Sequence, residues 1–301
     1  MQPWIPPSET AAAVKAGLRF GTVGAHTSRT MMLSELTDLL AAVPAQAPAS
    51  ENLTVSQGGL FPPTDALPSL FQVRLPSRDD YSQAILEDNV LGKDTAASRR
   101  GTLQRLSELY GLDPQLAVFR VLRRLWEVDG VGRPLLALLC ALARDPLLRA
   151  TAKAVLPLSP GGEVSRSALY EALTADEEVD RPSHTDRLPP RFKPAILDKI
   201  ARNAASSWAQ AGHLEGRVRK IRKKVCPTAG SAAFALWLGH LQELAGDYLL
   251  RTMWAAVLDV TQDELFDLAL AAKQRGLLRA VSGGGVRAID VAGLDPAMES
   301  R

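Results

Sequence analysis

The sequence predicts a mostly α-helical protein: a helical bundle with winged-helix-like units and a few short β-hairpins. Ala and Leu are abundant and aromatic residues make up only 5% of the chain, a composition that favours helices over β-sandwiches. Apolar residues recur at three- and four-residue spacings through most of the chain, as amphipathic helices require. In two places, near residues 194–225 and 261–291, a helical pattern is followed by a turn and an extended segment.

The first 76 residues predict a small helical unit and a linker. Residues 1–43 contain a short helix and, after the turn-rich GAHTS, a longer helix over 29–43 for which Ser28 is a suitable N-cap. A winged-helix-like arrangement is one alternative for this unit. Residues 44–76 are rich in Pro, Gly, Ser and Ala and show little periodicity, which is typical of a linker.

Residues 77–180 predict a helical bundle domain. Ser77 is followed by two acidic residues, an arrangement that suits the start of a helix. The segment KDTAASRRGTLQRLSELYG carries a stripe of apolar residues that ends at Tyr110, and Gly111 after it is a suitable C-cap. The segment that begins at Pro134 is apolar nearly all round and is therefore predicted to be the central core helix.

Residues 181–301 predict a second helical domain. The helix over 194–211 is followed by Gly212 and by a basic segment that we expect Val218, Ile221 and Val225 to anchor. Helix, tight turn and basic strand over 190–225 is the local order of winged-helix DNA-binding proteins. Residues 261–291 repeat that order, with a capping box at their start and a glycine-turn hairpin at their end, but this C-terminal unit is acidic.

Positive charge is concentrated in one part of the chain. The net charge is only +2, yet residues 181–224 hold twelve Lys and Arg against three Asp and Glu, a balance of +9. Residues 134–180 and 225–301 flank them at −3 each. Such segregation steers a polyanion to one face. The predicted nucleic-acid-binding residues are Lys199, Arg202, Asn203, Ser206, Ser207, Gln210, Arg217, Arg219, Lys220, Arg222, Lys223 and Lys224.

Other features suggest little chemistry. Small hydroxyl side chains and an arginine precede the second helix, at Thr27, Ser28, Arg29 and Thr30. This pattern predicts either a second anion site at the helix start or a simple helix cap. The four His residues have no metal-ligand spacing, and no nucleophile or phosphate-loop motif is present, so we expect no enzyme activity, no cofactor and no metal. The start of the chain lacks a signal-peptide pattern and the longest apolar run is too short for a bilayer. A cytoplasmic location is expected.

Four segments resemble the BrxA family of BREX phage-defence systems: ILEDNVLGKDTAASRRGTLQRLSELYGLDP, RPLLALLCALARDPLLRATAKAVL, IARNAASSWAQAGHLEG and AAKQRGLL. The resemblance covers roughly residues 80–292 and leaves the first 75 or so unexplained. It implies a small helical protein that binds double-stranded DNA without catalysis, beside a methyltransferase and an ATPase as partner proteins.

The sequence therefore favours a double-stranded DNA-binding component of a defence system that makes mainly phosphate contacts and shows little sequence preference. The alternative is a structural adaptor that uses its basic patch and its helical faces to assemble a protein complex. RNA binding is a third hypothesis, against which the shortage of aromatic residues for base stacking counts.

Overall fold

A computed structural model describes residues 4–19, 29–46, 74–179, 192–283 and 286–295. Within these ranges the chain forms thirteen α-helices and two two-stranded antiparallel sheets, which confirms the mostly α prediction. The helices are α1 (Ala11–Lys15), α2 (Leu33–Ala42), α3 (Arg78–Leu86), α4 (Ala96–Tyr110), α5 (Ala117–Val128), α6 (Arg133–Arg144), α7 (Pro146–Ala150), α8 (Ala152–Val155), α9 (Arg166–Val179), α10 (Pro194–Gln210), α11 (Ala229–His240), α12 (Met253–Val257) and α13 (Gln262–Gln274). The strands are β1 (Leu214–Glu215), β2 (Ile221–Arg222), β3 (Arg279–Gly283) and β4 (Val286–Asp290).

The helices α6 and α11 form the centre of the core. Every residue of α6 from Leu135 to Arg144 is buried, as the all-round apolar pattern predicts. In α11 every residue from Ala229 to Gly239 is buried as well. Both helices are rich in Ala and Leu, and the small side chains of α11 let α5, α6, α12 and α13 pack closely around it.

The described N-terminal residues pack on the same core. Ile5 pairs with Thr252 as a parallel bridge, and the Thr10 hydroxyl donates to the Leu241 carbonyl at 2.5 Å. One continuous cluster of buried apolar residues runs from Ala13 to Leu294. Residues from the first 43 positions are thus buried against helices of the later chain, while the domain boundaries themselves stay a prediction.

Helix α2 begins later than the sequence suggested. It starts at Leu33, and Met32 occupies its N-cap position without a side-chain hydrogen bond, so the prediction of a helix from residue 29 capped by Ser28 is wrong. The preceding backbone amides are held by side chains of other helices instead. The amides of residues 31, 32 and 33 donate to Ser207 Oγ (2.8 Å), the Tyr110 hydroxyl (3.1 Å) and Gln210 Oε1 (3.2 Å).

Strand β2 lies between two extended segments. On one side β1 pairs with it in antiparallel register, Leu214 opposite Arg222. On the other side residues 161–164 hydrogen bond to residues 220–222, and Glu163 forms a bridge with Ile221. The chain order around this small sheet is α7, α8, the 161–164 segment, α9, α10, β1 and β2. The sheet therefore joins the start of α9 to the end of α10.

The predicted C-terminal hairpin is present. Strands β3 and β4 pair in antiparallel register from Arg279 and Asp290 to Gly283 and Val286. They follow α13, which begins with the predicted capping box of Thr261 and Glu264. None of the helices in the described ranges is long and apolar enough to cross a membrane.

Candidate nucleic-acid interface

The hairpin of β1 and β2 closes through a tight loop, residues 216–220. Gly216 begins the loop with a φ of +90°, and a Cβ at that position would lie 2.2 Å from the Arg219 carbonyl oxygen. Only glycine fits such an approach. The Lys220 ammonium donates to the Gly216 carbonyl at 2.7 Å and fastens the two ends of the loop.

Helix α10 presents a short polar stripe to solvent. Lys199 and Arg202 are exposed and Ser206 is half-buried four residues further on, whereas Ile200, Ala204 and Trp208 face the core. The Arg202 guanidinium lies 3.8 Å from the Asp198 carboxylate, with 73% of its own side-chain surface exposed. The stripe is consequently a solvent-facing basic edge beside one carboxylate.

Two ion pairs place this stripe next to the hairpin. Arg166 at the start of α9 pairs with Asp198 of α10. Arg219 of the loop pairs with Glu163 at 2.5 Å. Glu163 and Arg166 are three residues apart in the chain, so their α-carbons are at most about 11 Å from one another. The exposed face of α10, the start of α9 and the loop therefore lie side by side.

These elements together form what we call the basic surface. It comprises Arg166, Lys199, Arg202, Arg217, Arg219, Lys220 and Lys223. Arg166 did not figure among the predicted residues because it lies within residues 134–180, whose net charge is −3. Its guanidinium lies 5.5 Å from the centre of the Tyr170 ring and donates a hydrogen bond to the hydroxyl of that residue.

Carboxylates accompany most cations of the basic surface. The hydrogen bond from Arg219 lowers the pKa of Glu163. Lys223 lies 3.0 Å from Glu215 on the neighbouring strand. Because both partners of each pair are well exposed, such pairs contribute little to stability and exchange readily with other ions. Arg217 differs, since it is exposed and forms no hydrogen bond or ion pair with any residue that the structure describes.

Arg222 is not part of the basic surface, contrary to prediction. Its side chain is 1% exposed and its Nη2 lies 3.1 Å from Asp259 Oδ2. It also donates to the Lys223 carbonyl. The prediction about Val218 is wrong in the opposite sense, because this residue lies at the tip of the loop with 92% of its surface exposed instead of anchoring a strand. The hairpin turns one cation inward and one apolar side chain outward.

Three predicted polar residues of α10 are used inside the protein. Ser207 is fully buried, accepts from the amide of residue 31 and donates to the Asn203 carbonyl at 3.0 Å. Gln210 donates to the carbonyl of residue 31 at 2.7 Å and accepts from the amide of residue 33. Ser207 therefore cannot reach a ligand from this position, contrary to prediction. Asn203 is half-buried beside them.

The second anion site predicted around residues 27–30 contains carboxylates. Thr27 and Ser28 lie outside the described residues. Arg29 pairs with Glu108 at 3.1 Å, and its backbone amide donates to Asp145 at 3.3 Å. Thr30 is half-buried next to them. Two carboxylates at this position oppose the binding of an anion, and the N-terminus of α2 lies further along the chain.

The last predicted cation, Lys224, is exposed near the start of α13. There its charge contributes to lowering the pKa of Glu264, behind the larger effect of the capping hydrogen bonds from Thr261.

No group of three or more His, Cys, Asp or Glu within the described ranges is arranged to hold a metal ion. No protein-family model matches the chain, and neither a curated protein nor a solved structure shows significant similarity to it.

Proposed function

We propose that this protein binds double-stranded DNA without catalysis, through the basic surface and mainly by contacts to phosphates. The observation that carries the proposal is the pairing of Arg166 with Asp198 and of Arg219 with Glu163, which brings cations from three separate elements onto one face. Each phosphate that these cations neutralise releases condensed counter-ions, which favours binding to a polyanion.

The order of the elements supports a winged-helix interpretation of residues 146–223. Helices α7 and α8, the 161–164 segment, helices α9 and α10, and strands β1 and β2 follow one another as helix, helix, strand, helix, helix, strand, strand. In this interpretation α10 is the helix that approaches the major groove, whose width admits an α-helix. The 216–220 loop is then the wing. The exposure of Lys199 and Arg202 to solvent on α10 agrees with it.

The test is the salt dependence of duplex binding for a variant in which five exposed cations become glutamine: Lys199, Arg202, Arg217, Arg219 and Lys223. Arg222 is left intact because it is buried. The slope of log K against log salt changes by about 0.9 for each phosphate that the protein no longer neutralises, so we expect its magnitude to fall by about 4.5 if each of the five cations neutralises one phosphate. Fluorescence anisotropy of a labelled duplex between about 50 and 200 mM salt measures this slope.

A matched variant controls for net charge. It replaces five exposed cations elsewhere by glutamine: Lys15, Arg78, Arg251, Lys273 and Arg275. Its formal charge change is the same, so long-range attraction falls equally while the basic surface stays intact. We expect this control to keep most of the wild-type slope. Equal losses in both variants, or an unchanged slope in the first, contradict the proposal.

A structural adaptor is the second candidate function. The observation in its favour is the exposure of two large apolar side chains in the C-terminal part, Tyr248 at 62% and Val281 at 57%. Exposed apolar side chains near an acidic helix fit a protein partner better than DNA. The tests are a pull-down after nuclease treatment and a duplex-binding assay at several salt concentrations. A partner protein that stays bound after the nuclease, together with no salt-sensitive binding to duplex DNA, supports the adaptor and contradicts the DNA proposal.

We further propose that the protein acts within a bacterial phage-defence system. This part rests on the resemblance of four segments to the BrxA family described above, and it implies a methyltransferase and an ATPase as partner proteins. The test is co-purification of the tagged protein with such partners from a bacterial host that carries a BREX system. Recovery of the protein alone from those cells, with no effect of its deletion on phage growth, contradicts it.

A further inference from the structure

Residues 29–33, which we call the N-terminal strap, connect helix α10 to the helical bundle. We propose that the strap fixes the rotation of α10 about its own axis, and that Gln210 and Ser207 are the positioning residues through which it acts. The inference rests on the proposed DNA-binding function. It adds to that function a role for a segment that lies outside the resemblance to the BrxA family.

The strap is hydrogen bonded to two side chains in the last turn of α10. Gln210 Nε2 donates to the Met31 carbonyl at 2.7 Å, and Gln210 Oε1 accepts from the Leu33 amide at 3.2 Å. Ser207 Oγ accepts from the Met31 amide at 2.8 Å. Met31 and Ser207 are both buried, so water does not compete with the bond between them. Three hydrogen bonds thus hold the last turn of α10 on the strap.

The other contacts of the strap hold it on the helical bundle. The Arg29 amide donates to Asp145, which caps the start of α7. The Met32 amide donates to the hydroxyl of Tyr110, the last residue of α4, at 3.1 Å. The Arg29 guanidinium pairs with Glu108, also in α4. The strap therefore fixes the end of α10 relative to α4 and α7.

The buried face of α10 gives the helix little directional restraint of its own. Its buried residues are Ile200, Ala201, Ala204, Ala205, Ser207 and Trp208. Three of these six are alanines, whose short side chains form only shallow ridges for packing between helices. Apolar contacts have no preferred direction, whereas a hydrogen bond weakens steeply when its donor and acceptor are misaligned. The strap bonds therefore add to this packing a restraint on rotation.

The rotation of α10 decides where its cations point. Gln210 comes about three turns after Lys199, so the two residues lie on one line of the helix surface about 16 Å apart. On a helix about 10–12 Å across, a rotation of about 20° moves the end of a side chain by about 2 Å. Such a shift is large beside the range of about 2.7–3.2 Å that hydrogen bonds to phosphates allow. A bond at Gln210 thus keeps Lys199 and Arg202 in place.

The hairpin of β1 and β2 has anchors that do not involve the strap. His213, directly before β1, has its Nε2 atom 2.7 Å from the Val257 carbonyl, and Arg222 in β2 pairs with Asp259. The 161–164 segment is hydrogen bonded to residues 220–222. Loss of the strap bonds should therefore misplace the cations of α10 and leave those of the hairpin where they are.

The test is a double-mutant comparison of duplex binding, measured by fluorescence anisotropy at one fixed salt concentration. Gln210→Ala removes two strap bonds and no charge. Apparent affinity falls with the fraction of molecules in the binding-competent arrangement, so we expect this variant to bind about fivefold more weakly than wild type. Replacing Lys199 and Arg202 together by glutamine should then weaken binding by a factor at least about threefold smaller in the Gln210→Ala background than in wild type.

Two controls separate positioning from a general loss of stability. Replacing Arg217 and Lys223 of the hairpin by glutamine removes the same charge as the α10 pair, and this change should weaken binding by the same factor in wild type and in Gln210→Ala. Thr261→Ala removes the N-cap of α13, which should lower the midpoint of thermal unfolding. Well below that midpoint it should leave duplex binding unchanged.

Hydrogen exchange tests the same coupling in the wild-type protein, so it decides the question if Gln210→Ala does not fold. Coupling between two sites is reciprocal, and a duplex that binds α10 in one orientation should stabilise the strap bonds. The Met31 and Leu33 amides should therefore exchange more slowly when the duplex is bound. The Ala255 amide, which donates to Thr252 in the same manner, is the control and should be slowed by a smaller factor.

Four outcomes overturn the inference. Wild-type affinity in Gln210→Ala, or equal effects of the α10 pair in both backgrounds, leaves DNA binding in place and removes the role of the strap. A loss of binding in Thr261→Ala as large as that in Gln210→Ala assigns the effect to stability. Equal slowing of exchange at the strap amides and at Ala255 shows no specific coupling. Failure of wild type to bind any duplex overturns the proposed function as well, and so is distinguishable from these four.

Discussion

Replacing Arg222 by glutamine should damage folding and leave DNA contact unchanged. Arg222 is 1% exposed and lies 3.1 Å from the Asp259 carboxylate, which is 17% exposed. Removing one partner of a buried pair leaves the other charge uncompensated, at a cost of about 3–5 kcal/mol. Because Asp259 keeps some contact with water, we expect a value near the lower end, about 3 kcal/mol.

Thermal unfolding and urea titration measure this loss. For a chain of this size 1 kcal/mol corresponds to about 2–4 °C in the midpoint, so Arg222→Gln should unfold about 6–12 °C earlier than wild type. A second substitution, Asp259→Asn, removes the stranded charge and should restore part of the stability of the first. The salt slope of duplex binding, measured well below the new midpoint, should equal that of wild type.

The exposed Arg217 supplies the matched comparison. Arg217→Gln should unfold like wild type and neutralise about one phosphate fewer, which lowers the salt slope by about 0.9. The reasoning is refuted if Arg217→Gln loses stability and keeps the wild-type salt slope while Arg222→Gln does the reverse. Wild-type stability in Arg222→Gln, together with a reduced salt slope, places Arg222 on the DNA rather than in the core.

Two further predictions concern buried ionisable groups. Asp295 has a fully buried carboxylate 2.6 Å from Arg120 and 3.5 Å from Arg124. Asp295→Asn leaves these arginines without their partner and should lower the free energy of unfolding, measured in urea, by about 3 kcal/mol. A loss below about 1 kcal/mol contradicts a stabilising role for this carboxylate. Burial lowers the pKa of His213 from 6.5 to about 3. Between these two values the unfolded chain binds a proton that the folded chain does not. The free energy of unfolding should therefore fall by about 1.4 kcal/mol per pH unit as the pH drops below 6.5. A flat wild-type profile of stability between about pH 7 and 5 refutes the prediction.

The elements that the sequence predicted well are those whose signals are local. The apolar run after Pro134 alone defines the buried helix α6, and a glycine turn between two alternating segments defines the hairpin of β3 and β4. The pairing of residues 161–164 with β2 has no such signal, because its partners are about 60 residues apart and β2 itself has two residues. Propensity and periodicity act over shorter distances than that pairing.

Which side chains of the basic segment face inward could not be predicted from the sequence, for a related reason. Alternation along a strand tells which residues face inward only when the register is known. The 216–220 loop interrupts the alternation between β1 and β2, so Val218 was expected to be inside and Arg222 outside. The carboxylate that draws Arg222 inward, Asp259, lies 37 positions later in the chain. The prediction from the charge of residues 181–224 therefore included Arg222, which is buried, and Lys224, which lies near the start of α13, although neither belongs to the basic surface.

The carboxylates beside the basic surface explain how one face can concentrate cations without DNA. Glu163, Glu215 and Asp198 each lie against an exposed arginine or lysine and reduce the repulsion between those cations in the free protein. Exposed pairs contribute at most about 1 kcal/mol, so phosphates can replace these carboxylates at small cost, although each carboxylate then remains near the backbone and weakens the contact. Arg217 has no such competitor among the described residues, and its whole charge is available to the ligand. In the proposed function, the paired cations supply general attraction to phosphates, and Arg217 adds the cation that meets no competing carboxylate among the described residues.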